Sequence, residues 1–135
     1  MLAMTRYPQE YIAECRSRIA SDVEAYKSVA AAAGDAAAAF EPVFFNNMVM
    51  VLDAYFVHRT RALEGKDGNA LNEVRVLCSS MMLHDGVMTA DKSIKLSPDD
   101  SVAKVQFGEK IALGARDFSR LSAAFFSELE SRYQG

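Results

Sequence analysis

The chain has 135 residues, half of them hydrophobic and 24% charged, with a formal net charge of −3. That is enough polypeptide for one hydrophobic core and too little for two, and the composition excludes a disordered chain. No basic half or tail is present to follow a phosphate backbone, so no nucleic-acid partner is expected.

The longest apolar runs, such as Met48–Leu52, fall far short of a membrane span, so no membrane partner is expected either. The N-terminal stretch Met1-Leu-Ala-Met-Thr-Arg6 lacks the charged-then-apolar pattern of a secretory signal. A soluble, cytoplasmic protein is the expectation. Cys15 and Cys78 form neither a C-x-x-C motif nor a cluster with histidine, so they read as small buried hydrophobes in reduced form.

In chain order, a first helix is predicted from about Pro8 to Ala33, with Ile12, Cys15, Ile19, Tyr26 and Val29 recurring at helical spacing. The alanine-rich stretch Ala30–Ala39, broken by Gly34 and Asp35, reads as a helix end, a turn and a short helical lead-in. Pro8, Pro42 and Pro98 each precede a helix-like pattern, as first-turn prolines do.

A second helix, the most apolar, is predicted from about Pro42 to Glu64. Gly65-Lys-Asp-Gly-Asn69 then turns the chain, with Asn69 as N-cap. A third helix follows from Ala70 to His84, with Leu71, Val74, Leu77, Cys78 and Met81 facing the core. Ser97-Pro-Asp-Asp100 resembles a helix start, predicting a short helix over 98–105. Ile94–Leu96 and Lys110–Leu113 alternate enough to pair as a two-stranded ribbon. A fourth long helix is predicted from Ala115 to Tyr133, carrying Phe118, Leu121, Phe125 and Leu129 in a near-heptad stripe with Phe126 and Tyr133 beside it. The expected fold is a single all-α domain over residues 1–135. It would be a four-helix up-down bundle with an irregular connection before the last helix, roughly 65–70% helical, twice the globular average.

The second helix divides into two unlike arcs. One carries Phe44, Phe45, Met48, Val49, Leu52, Tyr55, Phe56 and Leu63, with Arg59 as its one polar intruder. The other mixes Asn46, Asn47, Asp53, His58, Arg61 and Glu64 with Val43, Met50, Ala54 and Val57. A solvated helix face is normally written in Lys, Glu, Gln and Ala, whereas short polar groups among Met, Ala and Val suit a half-buried surface. The arc is therefore a solvent face or satisfied polar seam, a homodimer contact, or the lining of a small-molecule pocket. The short connection also brings Arg61 and Glu64 towards Asn72 and Arg75, where guanidiniums and a helix start could form an anion site or a self-neutralising surface network.

Only two histidines occur, His58 and His84, and no metal-ligand spacing, phosphate-cradling glycine loop or nucleophile elbow surrounds Ser79 and Ser80. No metal and no cofactor are expected. The function expected is that of a non-catalytic binding or protein-interaction module acting through the surfaces of its second and third helices, with the mixed polar stripe of the second helix as its working face. A homodimer with the second or fourth long helix in the contact is expected, and a small-molecule ligand is a further option. The alternative is a small enzyme using Asp53 and His58 for acid–base chemistry and Arg61 with Arg75 to hold an anion. The candidate residues are Asn46, Asn47, Asp53, His58, Arg61, Asn72 and Arg75.

Overall fold

The structure, a computed structural model, describes residues 3–134. Met1 and Leu2, on which the reading of the N-terminus partly rests, and Gly135 lie outside the described residues. The fold is all-α: 64% of the chain is helical and no sheet forms among the described residues. Five helices follow in order, α1 (Gln9–Ala33), α2 (Asp35–Tyr55), α3 (Arg61–Glu64), α4 (Ala70–Leu83) and α5 (Ala115–Arg132). No helix among the described residues is long and apolar enough to cross a membrane.

Gly34 alone separates α1 from α2. Its φ of 59° and ψ of −120° lie where only glycine sits without strain, so the chain reverses in one residue. The predicted start of the second helix at Pro42 is therefore corrected: α2 begins seven residues earlier and Pro42 lies inside it. Ala36–Ala39 are strong helix formers, and Ala37 is buried where Tyr26 of α1 donates its hydroxyl proton to the Ala37 carbonyl, 2.8 Å away. Those contributions outweigh the N–H that Pro42 lacks.

The predicted end at Glu64 is corrected as well. The helix stops at Tyr55, residues 56–60 turn, and Arg61–Glu64 form one separate helical turn. The turn after Tyr55 lets the buried Arg59 reach Asp53, the Phe56 carbonyl and Glu64 together. The third and fourth long helices fall where the periodicity placed them. The Asn69 side chain caps α4, accepting from the N–H groups of Leu71 and Asn72 at 3.0 and 3.1 Å.

The core is built around α2, which packs against α1, α4 and α5; α5 also packs along α4 and touches α1. At one end Glu41 of α2 accepts the Ala115 N–H at 2.8 Å. At the other, the Tyr133 hydroxyl just beyond α5 donates to the Thr60 carbonyl. Phe45, Phe56, Phe118, Phe125 and Phe126 meet edge-on or tilted inside, an arrangement that suits the ring quadrupoles. Both members of the Phe125–Phe126 pair are buried.

Residues 84–114 wrap over α4, which is buried nearly all round from Ala70 to Ser80, while Met82 and Leu83 in its last turn are exposed. Met88, Ile94, Ile111 and Leu113 enter the core. Polar ties fix this covering. The two Glu73 carboxylate oxygens accept the N–H groups of Val102 and Ala103 at 2.9 and 2.8 Å, and the Ser80 hydroxyl accepts the Thr89 N–H at 2.9 Å.

Those ties also overturn two expectations. The predicted helix over 98–105 shrinks to a 3-10 turn, Pro98–Asp100, because the next N–H groups are taken by Glu73 and by the Ser101 hydroxyl. The predicted ribbon does not form: Lys95 bridges to Asp67 and Lys110 to Val87, each as an isolated pair.

Candidate functional site

The turn between α2 and α4 gathers an ionic cluster. Glu64, fully buried, accepts hydrogen bonds from Arg59, Arg61 and Arg75, the last through both Nε (3.0 Å) and Nη2 (3.1 Å). Arg59, also buried, spends its remaining donors on Asp53 (2.7 Å) and on the carbonyls of Phe56 and Leu71. Asn72 accepts from Arg61 at 2.8 Å and donates to the carbonyls of Gly65 and Asp67. Stripping two charges of water is costly, and a buried pair persists only when its other donors and acceptors are matched, as these are.

The electrostatics agree with the geometry. Burial pushes the Glu64 carboxyl upward, but the hydrogen bond from Arg75, the charge of Arg59 and the further Arg75 and Arg61 contacts hold it below its ordinary value. Burial likewise opposes the charge on Arg59, and Asp53 and Glu64 more than restore it. Nearby, Asp91 is held below the usual carboxylate range by the hydroxyl and N–H of Ser93, with smaller contributions from Arg61 and Arg75. Three guanidiniums thus meet two carboxylates, Asp53 and Glu64, and Arg61 and Arg75 remain partly exposed.

Of the seven candidates, the structure brings Asp53, Arg61, Asn72 and Arg75 into this one cluster and leaves three outside. Asn46 fastens the connection, donating to the Ile111 carbonyl at 2.9 Å and accepting the Leu113 N–H at 3.0 Å. Asn47 is exposed on α2. His58 is exposed and lines a cleft of about 410 Å³ with Met4, Tyr7, Pro8, Tyr11, Ala54, Tyr55 and Val57. No hydrogen bond or ion pair joins Asp53 to His58 among the described residues, and the carboxylate is committed to Arg59.

In the cleft the Tyr7 and Tyr11 hydroxyls donate to the Phe56 and Tyr55 carbonyls, and burial pushes both phenols up to about 12. They are uncharged donors at neutral pH. The sequence reading placed Glu64 with Arg61, Asn72 and Arg75 at the surface and missed its burial and its pairing with Arg59; Arg59 on an otherwise apolar arc was the signal, since a charge there needs a buried counter-charge.

A second surface stands out on α2. Ala36, Phe40, Val43, Asn47, Met50 and Ala54 follow one another at alternating spacings of four and three; Val57 lies beyond the non-helical cap Phe56. The helical residues of this set form an arc directly opposite the fully buried Phe45 and Leu52. Phe40, Val43 and Val57 are 51%, 52% and 51% exposed, Met50 is half-buried, and no charged residue belongs to the arc. At its C-terminal end Ala54 and Val57 share the cleft lined by Met4, Tyr7, Pro8 and Tyr11. Among the described residues no group of His, Cys, Asp or Glu is arranged to hold a metal ion. No known protein-family model, curated protein or solved structure matches this chain.

Proposed function

We propose that this chain is a non-catalytic protein-interaction module of the cytoplasm, a single four-helix up-down bundle made of α1, α2, α4 and α5. Its working surface is the outer face of α2, and it acts as a homodimer. The observation that supports this reading is the uncharged, half-exposed stripe from Phe40 to Val57. An apolar strip of this length on a helix in water is a liability unless something covers it, and apolar residues spaced four and three apart are what a helical mate requires. The pairing of Asp53 with Arg59, and of Arg61 and Arg75 with Glu64, supports a structural use of these charges.

A small-molecule ligand is the second reading, supported by the cleft beside His58. Light scattering after size exclusion separates the two. Twice the 14.8 kDa chain mass is expected at micromolar concentration, and Met50→Lys or Val57→Lys should return the chain mass without loss of helicity. A native chain of single mass would reject the dimer, and two silent lysine substitutions would reject this face.

A further inference from the structure

We infer that the outer side of the Arg61–Arg75 pair is a binding site for the phosphate group of a small phosphate monoester. Such a site is independent of any pairing between copies of the chain. Arg61 Nη1 and Arg75 Nε bond to the same oxygen of Glu64, Oε1, the latter at 3.0 Å. The two guanidiniums are therefore neighbours, tied to one atom. Arg75 is fixed further by its Nη2 on Glu64 Oε2, and Arg61 by the Asn72 side-chain oxygen at 2.8 Å. Arg61 Nε and Nη2 and Arg75 Nη1 have no partner among the described residues.

Charge favours an anion there. Arg59, Arg61 and Arg75 bring three positive charges and Asp53 and Glu64 two negative ones, so the cluster holds one positive charge in surplus. Arg16, Arg18, Lys27 and Arg132 each meet a carboxylate of their own. Arg61 and Arg75 instead share one that Arg59 also uses. Arg59 and Glu64 are sealed from solvent, so the surplus is presented by Arg61 and Arg75, whose side chains are 40% and 29% exposed. Asp91 registers it: its carboxyl is lowered first by the Ser93 hydroxyl and N–H and then by the charges of Arg61 and Arg75. Yet Asp91 turns one oxygen to Ser93, at 2.6 and 2.8 Å, and forms no ion pair with either arginine.

The donors select a phosphate. A carboxylate has two oxygens and is satisfied by a single guanidinium fork. A phosphate monoester has three terminal oxygens and about two negative charges near neutral pH, which match three nitrogens on two forks. Arginine suits this partner because the guanidinium is planar, always charged and weakly hydrated. The inner bonds to Glu64 and Asn72 already hold both long side chains, so little further ordering is needed on binding. The position at the surface leaves room for the substituent on the ester oxygen.

Titration of the intact chain with methyl phosphate, at neutral pH and constant ionic strength, tests the site through the Nε–H magnetic resonance signals of Arg61 and Arg75. Both should shift and saturate, and acetate should move them far less. Arg61→Gln should weaken binding about tenfold or more, as loss of charge-assisted donors does, with circular dichroism showing the helices intact. Asp91→Asn should tighten it several-fold by removing a neighbouring negative charge, a gain that damage to the fold does not produce. No saturable shift in the natural chain would overturn the site, and natural affinity in both variants would overturn its placement between Arg61 and Asp91. An equal response to acetate would overturn the choice of phosphate. Binding of inorganic phosphate without methyl phosphate would overturn the monoester.

Discussion

Glu64 shows how one buried charge organises its surroundings. Four nitrogens from three arginines satisfy it, and the carbonyl of the same residue accepts from Asn69 and Arg132 at 2.7 and 2.9 Å. Removing the carboxylate would leave Arg59 buried with half its compensation. Glu64→Gln is therefore expected to cost about 3–5 kcal/mol of stability in urea unfolding at neutral pH. Because the native carboxyl lies below its ordinary value of 4.5, its stabilisation is complete above that pH and is lost as pH falls through the lower native value. The gap in melting temperature between the natural chain and Glu64→Gln should thus be widest above pH 4.5 and narrow in acid. A gap independent of pH would contradict the ionic role.

At the scale of elements, the reversal at Gly34 and the early stop of α2 determine what α2 presents. An added Cβ at Gly34 would meet nothing within 4 Å, so its cost is confined to the backbone at φ 59°. Gly34→Ala should destabilise by about 1–3 kcal/mol, read as a lower urea midpoint with unchanged slope. No change would mean that the turn has a second, unstrained conformation. The wrapping of 84–114 over α4 has the opposite consequence for that helix. Where α2 keeps an open face, α4 has its polar residues Asn72, Glu73 and Ser80 enclosed and matched.

For the whole molecule, self-association links stability to concentration. A chain that pairs only when folded gains stability by mass action, so its melting temperature should climb as concentration rises. Met50→Lys should abolish that climb, leaving a melting temperature that is the same in dilute and concentrated solution. A natural chain that melts independently of concentration across the micromolar range would speak against the dimer. The net charge of −3 is too small for self-repulsion to oppose such pairing strongly.

The sequence by itself determined whatever depends on near neighbours. The periodic apolar residues of α1 apart from Val29, which is 58% exposed, those of α4 and α5, the Asn69 cap and the burial of both cysteines follow from contacts three or four residues apart and from side chains that bond the adjacent backbone. Tertiary structure alone decided where α2 begins and ends, because Pro42 and Arg59 each obey a local rule that packing overrides. It alone decided the path of 84–114 as well, whose ties to Asn46, Glu73 and Ser80 join groups up to 67 residues apart. The mixed arc of the second helix separated in the same way. Asp53 turned inward because Arg59 needed a counter-charge and Asn46 because the Ile111 and Leu113 backbone needed partners, leaving Asn47 among Phe40, Val43 and Met50 on the open face.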